Sequence, residues 1–223
     1  MGKLIVLEGI DGSGKSSQYA RVCSRLKEDG IEYRHIVFPR YDKESCALVR
    51  LYLNGGFGTD PDAVNAYTAS TFFAVDRFAS FRDDWGEAYN QGSLILSDRY
   101  TTSNAVHQGS KLPEELLPEY FGWLSDLEYN RMQLPKPDLV LYLDTTIEIS
   151  MRRMRRRESA TGTHADIHEQ NSRYLEKCLL TANLACDYFG WKRIACFDDQ
   201  GRERQLEEKN DEIYAEILRF LGR

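Results

Sequence analysis

Apolar runs of strand length alternate with segments of helical spacing along the whole chain. A glycine-rich turn joins the first such run to the first helix. This alternation predicts a three-layer α/β/α fold on a five-stranded parallel sheet, because parallel strands need crossover helices and those helices cover both faces. The first strand is read at Leu4 to Glu8, and Lys15 to Asp29 follows with Tyr19, Val22, Cys23 and Leu26 on one helical face. Gly30 is a suitable helix stop. Ile31 to Phe38 reads as the second strand, closed by Pro39. The remaining strands are read at Ser93 to Ser97, Leu139 to Leu143 and Trp191 to Phe197. Helical segments are expected at Pro61 to Asn90, Pro113 to Asn130, Ile147 to Arg157, Asp166 to Phe189 and Glu203 to Leu221. With no internal repeat or low-complexity linker, the 223 residues form one domain, 1–223.

Composition narrows the function. The formal net charge is −6, which argues against binding nucleic acid polymers regardless of sequence. No apolar run approaches membrane-spanning length, and the run from Leu4 to Leu7 is too short for a signal peptide. Gly2 does not open a myristoylation signal. The five cysteines are odd in number and form no CxxC pair, which fits reduced packing thiols and a cytoplasmic protein.

In open α/β sheets, ligands gather outside the carboxyl ends of the strands, and the informative residues fall there. Gly9-Ile10-Asp11-Gly12-Ser13-Gly14-Lys15-Ser16 matches G-x-x-x-x-G-K-[ST] between a strand and a helix. This is the phosphate loop of a P-loop NTPase fold: its backbone N–H groups curl around phosphate oxygens, and the positive end of the helix faces the same anion. Residues Gly9, Ile10, Asp11, Gly12, Ser13, Gly14, Lys15, Ser16 and Ser17 are thus expected to bind a nucleoside triphosphate. Lys15 would bridge the β- and γ-phosphates, and the Ser16 hydroxyl would bind Mg²⁺. Asp98, closing the third strand, is read either as holding Mg²⁺ and its waters or as fixing Arg99, whose guanidinium can clamp a phosphate. From Arg152 to Arg157 runs the strongest positive stretch. At least half of it is a solvated helix face. Ser159 to His164 reads as a flap, so a short lid is expected near 152–168, and arginines at its base could swing onto the transferring phosphate.

Taken together, Leu7 to Gln18, Phe38-Pro39-Arg40-Tyr41, Phe73-Ala74-Val75-Asp76-Arg77, Asp98-Arg99-Tyr100, Ser103-Asn104 and Leu134 to Asp138 resemble the thymidylate kinase family of nucleoside monophosphate kinases. Asp166 to Glu169 resembles the segment after the lid in some bacterial members. The resemblance implies transfer of the γ-phosphoryl group of ATP to dTMP with Mg²⁺, giving ADP and dTDP for dTTP synthesis. It implies that Arg99, with Tyr41 or Arg40, holds the acceptor phosphate, and that Phe73 stacks on thymine. Arg77 and Asn104 would read the base edge, with Ser103 beside them, and Asp11 would lie near the sugar 3′-hydroxyl. It also implies a homodimer. Two departures stand out. Gly12 occupies the place of a P-loop arginine, which by the resemblance moves the expected catalytic arginine to the lid run Arg152 to Arg157, with Arg153 and Arg157 as candidates and the individual residue left open. His107 stands where many bacterial members have tyrosine, and its smaller ring crowds a 2′-hydroxyl less. The rival readings are a kinase for another nucleotide or a deoxynucleoside, and a GTPase-like switch. The absence of an N-K-x-D motif weakens the latter.

Overall fold

The computed structural model describes residues 1–161 and 172–223. Its centre is a parallel sheet whose strands among the described residues are β1 (Lys3–Glu8), β2 (Arg34–Val37), β3 (Leu94–Asp98), β4 (Leu139–Asp144) and β5 (Lys192–Ala195), in the order β2-β3-β1-β4-β5. β1 is therefore central. Its Leu7 pairs with Asp98 on one side and Leu141 on the other, so the carboxyl ends of the middle strands lie level and share one edge.

Alternation along β1 splits the core. Ile5 and Leu7 face α1 (Lys15–Glu28) and α9 (Leu206–Leu221), where Tyr19, Val22 and Leu26 meet Ile213, Tyr214 and Ile217. Leu4 and Val6 face the opposite layer, with Trp85, Tyr89 and Tyr100. All of these are buried, and the two-sided burial explains why the central strands are apolar throughout. α1 begins at Lys15, ends before Gly30 (φ 66°), and carries Arg25 and Lys27 at its negative end. It is tied to α9 by Asn210 Nδ2 donating to Gln18 Oε1 at 2.9 Å.

The second layer is more broken than helical periodicity suggests. The segment expected from Pro61 to Asn90 begins as a short 3-10 turn, Pro61–Ala63, and restarts at α3 (Ala66–Ser80), where Asn65 accepts a capping bond from Thr68 N at 2.8 Å. A π-helical turn, Phe81–Trp85, then joins α3 to α4 (Gly86–Asn90). The segment from Pro113 divides likewise into α6 (Leu117–Ser125) and a π turn, Asp126–Arg131. Two helical stretches were not anticipated: α2 (Ala47–Leu53), and α5 (Thr101–Ser103) running on as a π turn Asn104–Gln108 and a 3-10 turn Gly109–Lys111. In the latter Thr101, Thr102, Asn104, His107, Gln108 and Ser110 are all buried. A polar sequence that is buried on several faces leaves no amphipathic stripe to read.

β2 and β5 are shorter than expected, because both are edge strands. Ile31 is buried ahead of β2, and Phe197 leaves β5 to bridge Glu203. α7 (Ile147–Thr161) follows β4, and α8 (Ser172–Phe189) packs its Tyr174, Cys178, Ala182 and Cys186 against Val106 and Tyr142. The part of the expected lid at 162–168, and the Asp166 start of the following helix, lie outside the described residues.

Leu141 sits in the middle of the sheet with none of its side chain exposed. Leu141→Ala should cost about 2–5 kcal/mol, read as a lower midpoint in urea unfolding. A cost under about 1 kcal/mol would contradict this packing.

Candidate functional site

The turn after β1 is shaped by backbone geometry. Gly12 and Gly14 have φ of 77° and 88°, a region costly for residues with a Cβ. A Cβ on Gly12 would also strike the Ser150 carbonyl, and one on Gly14 the Arg153 guanidinium. Gly14 caps α1 in this left-handed conformation without a capping side chain. The first N–H groups of α1 have no intrahelical acceptor, and they open onto a cavity of about 810 Å³ lined by residues Ile10 to Ser17. A loop and helix end of this kind form an anion cradle.

Lys15 points along the sheet edge, its ammonium 3.2 Å from Asp98 Oδ1. That pairing is an ion pair without an aligned hydrogen bond, since Asp98 Oδ1 is buried with none. Asp98 and Ser16 both line the large cavity. A carboxylate oxygen short of hydrogen bonds and a hydroxyl on the same wall are hard donors that fit Mg²⁺, which takes one or two protein oxygens and completes its shell with phosphate and water. Among the described residues no group of three or more His, Cys, Asp or Glu gathers as a metal cage.

Arg99 is the hinge of the site. Its φ of 65° is rare for a residue with a side chain, and it turns the guanidinium back over β1. There Nη2 donates to Asp11, while Nη1 approaches Ser103 Oγ (3.3 Å), His107 Nε2 (2.9 Å) and Glu8 (3.7 Å). Burial alone would lower the Arg99 pKa, but Asp11, Glu8 and Asp98 outweigh it and hold it above the ordinary arginine value. Arg99 only donates, so His107 Nε2 must accept, which places the His107 proton on Nδ1 facing Tyr174 and Cys178. Glu8, wholly buried, accepts from Gly9 N, Thr102 Oγ1 and Ser103 Oγ at 2.9, 2.6 and 2.7 Å. It organises the floor beneath Arg99.

On the far side of Arg99 lies a second cavity of about 140 Å³. Phe73 and Arg77, one turn apart on α3, line it together with Ser103, Asn104 and His107. Asp11, Tyr41, Arg99, Phe38 and Pro39 line both cavities, so the two chambers meet at a wall that carries an arginine. Arg77 is buried. Its Nε and Nη2 each reach a Glu128 oxygen at 2.6 Å, and Nη1 lies 3.4 Å from Tyr100 O. Burial would lower its pKa, yet the charge and hydrogen bonds of Glu128 hold it above the ordinary value. Asn104 Nδ2 donates to Ser70 O at 3.0 Å and lies 3.3 Å from Glu128 Oε1. Both of these partners only accept, so the amide orientation is determined and Oδ1 is its acceptor for the cleft.

The arginine run wraps α7. Arg153 Nη1 donates to the carbonyls of Gly12 (3.3 Å) and Ser13, and its Nε reaches Glu203 at 2.9 Å. Glu203 also takes Arg152. Burial would raise the Glu203 pKa, but the hydrogen bonds from Arg152 and Arg153 bring it below the usual carboxylate range. Arg153, partly buried, and Arg157, exposed, line the large cavity, which Arg152, Arg155 and Arg156 do not.

Most residues singled out from sequence thus face one of the two chambers. Arg40 and Gly9 are the exceptions: Arg40 bonds Asp76, Asp83 and Ser45, Gly9 donates its N–H to Glu8, and neither lines a chamber. Of the Tyr41-or-Arg40 pair, Tyr41 is the one on the cleft. Glu8, Glu128, Glu203 and Lys209 were missed. Glu8 sits inside the phosphate-loop segment and could have been noticed as a charge in a buried strand; the other three carry no local signal.

The family model described as "Thymidylate kinase" matches residues 7–184. The thymidylate kinase of Mycobacterium tuberculosis is 29% identical over 204 residues, covering 89% of this chain and 94% of that protein. That of Ligilactobacillus salivarius is 32% identical over 154 residues, covering 69% and 70%. The solved thymidylate kinase of Candida albicans superposes with a TM-score of 0.72 at 21% identity, covering 99% of this chain and 92% of that one, which is a likeness of fold.

Lys15→Ala removes the cation at the mouth of the cradle. Its expected result is loss of phosphoryl transfer with an unchanged circular dichroism spectrum. Near-normal turnover in the folded variant would overturn the role given to Lys15.

Proposed function

The chain belongs to the thymidylate kinase family, and on that premise we propose that its two chambers divide the reaction between them. The enzyme transfers the γ-phosphoryl group of ATP to dTMP, giving ADP and dTDP. In our reading the larger chamber takes ATP and the smaller takes dTMP, their phosphates meeting at the wall of Asp11, Tyr41 and Arg99. The observation that carries this is the shared wall itself: a phosphate cradle on one side, an aromatic and two polar base readers on the other, and an arginine between them.

The acceptor needs no strong base, because a phosphate monoester is largely ionised at neutral pH, its second pKa being about 6. The demand is to align two anions and neutralise their repulsion. Lys15 and Arg99 supply fixed positive charge, and Arg153 or Arg157 supplies more from α7. Asp11 steers Arg99 and lies where the sugar would pass. Ser16, and Asp98 directly or through water, would hold Mg²⁺, which would supply further charge neutralisation at the phosphates.

Phe73 offers a face for stacking on the base. Thymine presents a carbonyl acceptor beside an N–H donor. Arg77 and Asn104 Oδ1 offer the complementary donor and acceptor, whereas cytosine would meet both with like groups. A site built on such polar contacts rejects the wrong base strongly. His107 borders the sugar end and leaves more room there than tyrosine would.

Homodimer formation is supported by the apolar face that Leu48 and Leu51 of α2 and Val75 and Phe78 of α3 leave exposed. The five cysteines are free, four of them buried, as suits a reducing cytoplasm. No helix among the described residues is long and apolar enough to cross a membrane.

With ATP as donor, turnover on dTMP should exceed that on dUMP, dCMP, UMP and thymidine, and chelation of divalent cations should abolish it. A preference for thymidine over dTMP would reject the reading of Arg99 as an acceptor-phosphate clamp. Light scattering should give twice the chain mass of 25.8 kDa, and a value equal to one chain would remove the dimer.

A further inference from the structure

Glu128 has no exposed surface, touches neither chamber, and comes from a π turn remote in sequence from every motif of the site. Yet it touches both base readers. One oxygen accepts from Arg77 Nε (2.6 Å) and Thr101 Oγ1 (2.9 Å). The other accepts from Arg77 Nη2 (2.6 Å) and faces Asn104 Nδ2 (3.3 Å). A guanidinium has five N–H groups in a fixed plane. With Nε and one Nη2 hydrogen committed to Glu128, its rotation is fixed, and the N–H groups left for the cleft lie on a defined edge. The same carboxylate, with Ser70 O, draws the Asn104 amino group away from the cleft and leaves the carbonyl as its acceptor.

We propose that Glu128 is a positioning residue that sets the base polarity of the acceptor cleft, by holding Arg77 as the donor and Asn104 as the acceptor toward a pyrimidine bearing a 4-carbonyl and an N3 proton. This rests on the reading of that cleft as the site of the nucleotide base. The role requires a group that accepts on both oxygens at once, which a carboxylate does and an amide does not. In Glu128→Gln one of the two oxygens becomes an NH₂ donor: in either orientation Arg77 faces a donor where it had an acceptor, and in one of them Asn104 does too. Arg77 can then shift off its edge, or Asn104 can turn its amino group toward the cleft and greet cytosine. Neither motion touches the phosphate cradle, so discrimination between bases should suffer far more than use of ATP.

The test is the ratio of kcat/KM for dTMP to that for dCMP in the parent and in Glu128→Gln, with KM for ATP measured alongside. A ratio of two substrates on one preparation is independent of the fraction of protein that is folded, so a loss of stability alone leaves it unmoved. The expected result is a fall of at least fivefold in the dTMP:dCMP ratio with KM for ATP within twofold of the parent. A smaller fall overturns the proposal. If Glu128→Gln yields no soluble enzyme, Glu128→Asp, which keeps the charge but shortens the reach to Asn104, is held to the same fivefold criterion. A parent that does not phosphorylate dTMP would instead reject the assignment of the cleft, whereas a parent that prefers dTMP beside a variant that keeps its preference rejects only the role of Glu128.

Discussion

Positive charge placed at a sheet edge to receive anions must be neutralised by the protein until they arrive, and the architecture of this molecule follows from how that is done. Lys15 and Arg99 are both largely shielded from water, the former 7% exposed as a residue. Burying unpaired cations costs several kcal/mol each. Glu8, Asp11 and Asp98 offset that cost from the ends of β1 and β3 and from the turn between β1 and α1. Because β1 and β3 are neighbours in register, Leu7 against Asp98, these three carboxylates fall within reach of the two cations without any long loop to bring them together. A phosphate bound there, as proposed, would replace carboxylate contacts that already exist and find donors oriented in advance.

The same logic recurs beside the smaller cavity with a different balance. Arg77 and Glu128 form a bidentate pair with side chains 2% and 0% exposed. Removing either member of such a pair is expected to cost about 3–5 kcal/mol. The pair also joins α3 to the π turn after α6, two elements that the sheet does not connect. Its geometry restricts Arg77 to one edge, and with Thr101 and Asn104 it forms a polar network in which both Glu128 oxygens accept. Tyr120 seals the network from behind, its hydroxyl within 2.7 Å of Ser70 Oγ and donating to Asn104 O at 3.0 Å.

α7 brings a third set of cations to the phosphate loop from outside. Arg153 docks on the carbonyls of Gly12 and Ser13 in that loop. Glu203, Arg204 and Lys209 join it on the wall of the large chamber. Lys209 lies 3.9 Å from Glu203, and burial and Arg153 push its pKa below the ordinary lysine value. Glu203 thus joins Arg152 and Arg153 of α7 to Lys209 of α9.

The sequence by itself determined the α/β alternation, the central strands and the phosphate loop. Each rests on local rules: continuous apolar runs for strands buried on both faces, and glycines where φ must be positive. The resemblance of its motifs to the family singled out Phe73 and Arg77, and their spacing of four places both on one helical face. What only the tertiary structure decided is the pairing of charges across distant segments. Arg40 and Tyr41 are adjacent in sequence, yet Asp76 and Asp83 draw Arg40 away and leave Tyr41 on the cleft. Glu128 meets Arg77 across 51 positions and Glu203 meets Arg153 across 50. The helical run from Thr101 to Lys111 buries polar groups on several faces, so no periodicity announces it. Periodicity reports which side of an element meets the core, a property of neighbouring residues. Which buried charge meets which depends on where the sheet order and the packing of its two layers bring separate elements together, and no local pattern encodes that.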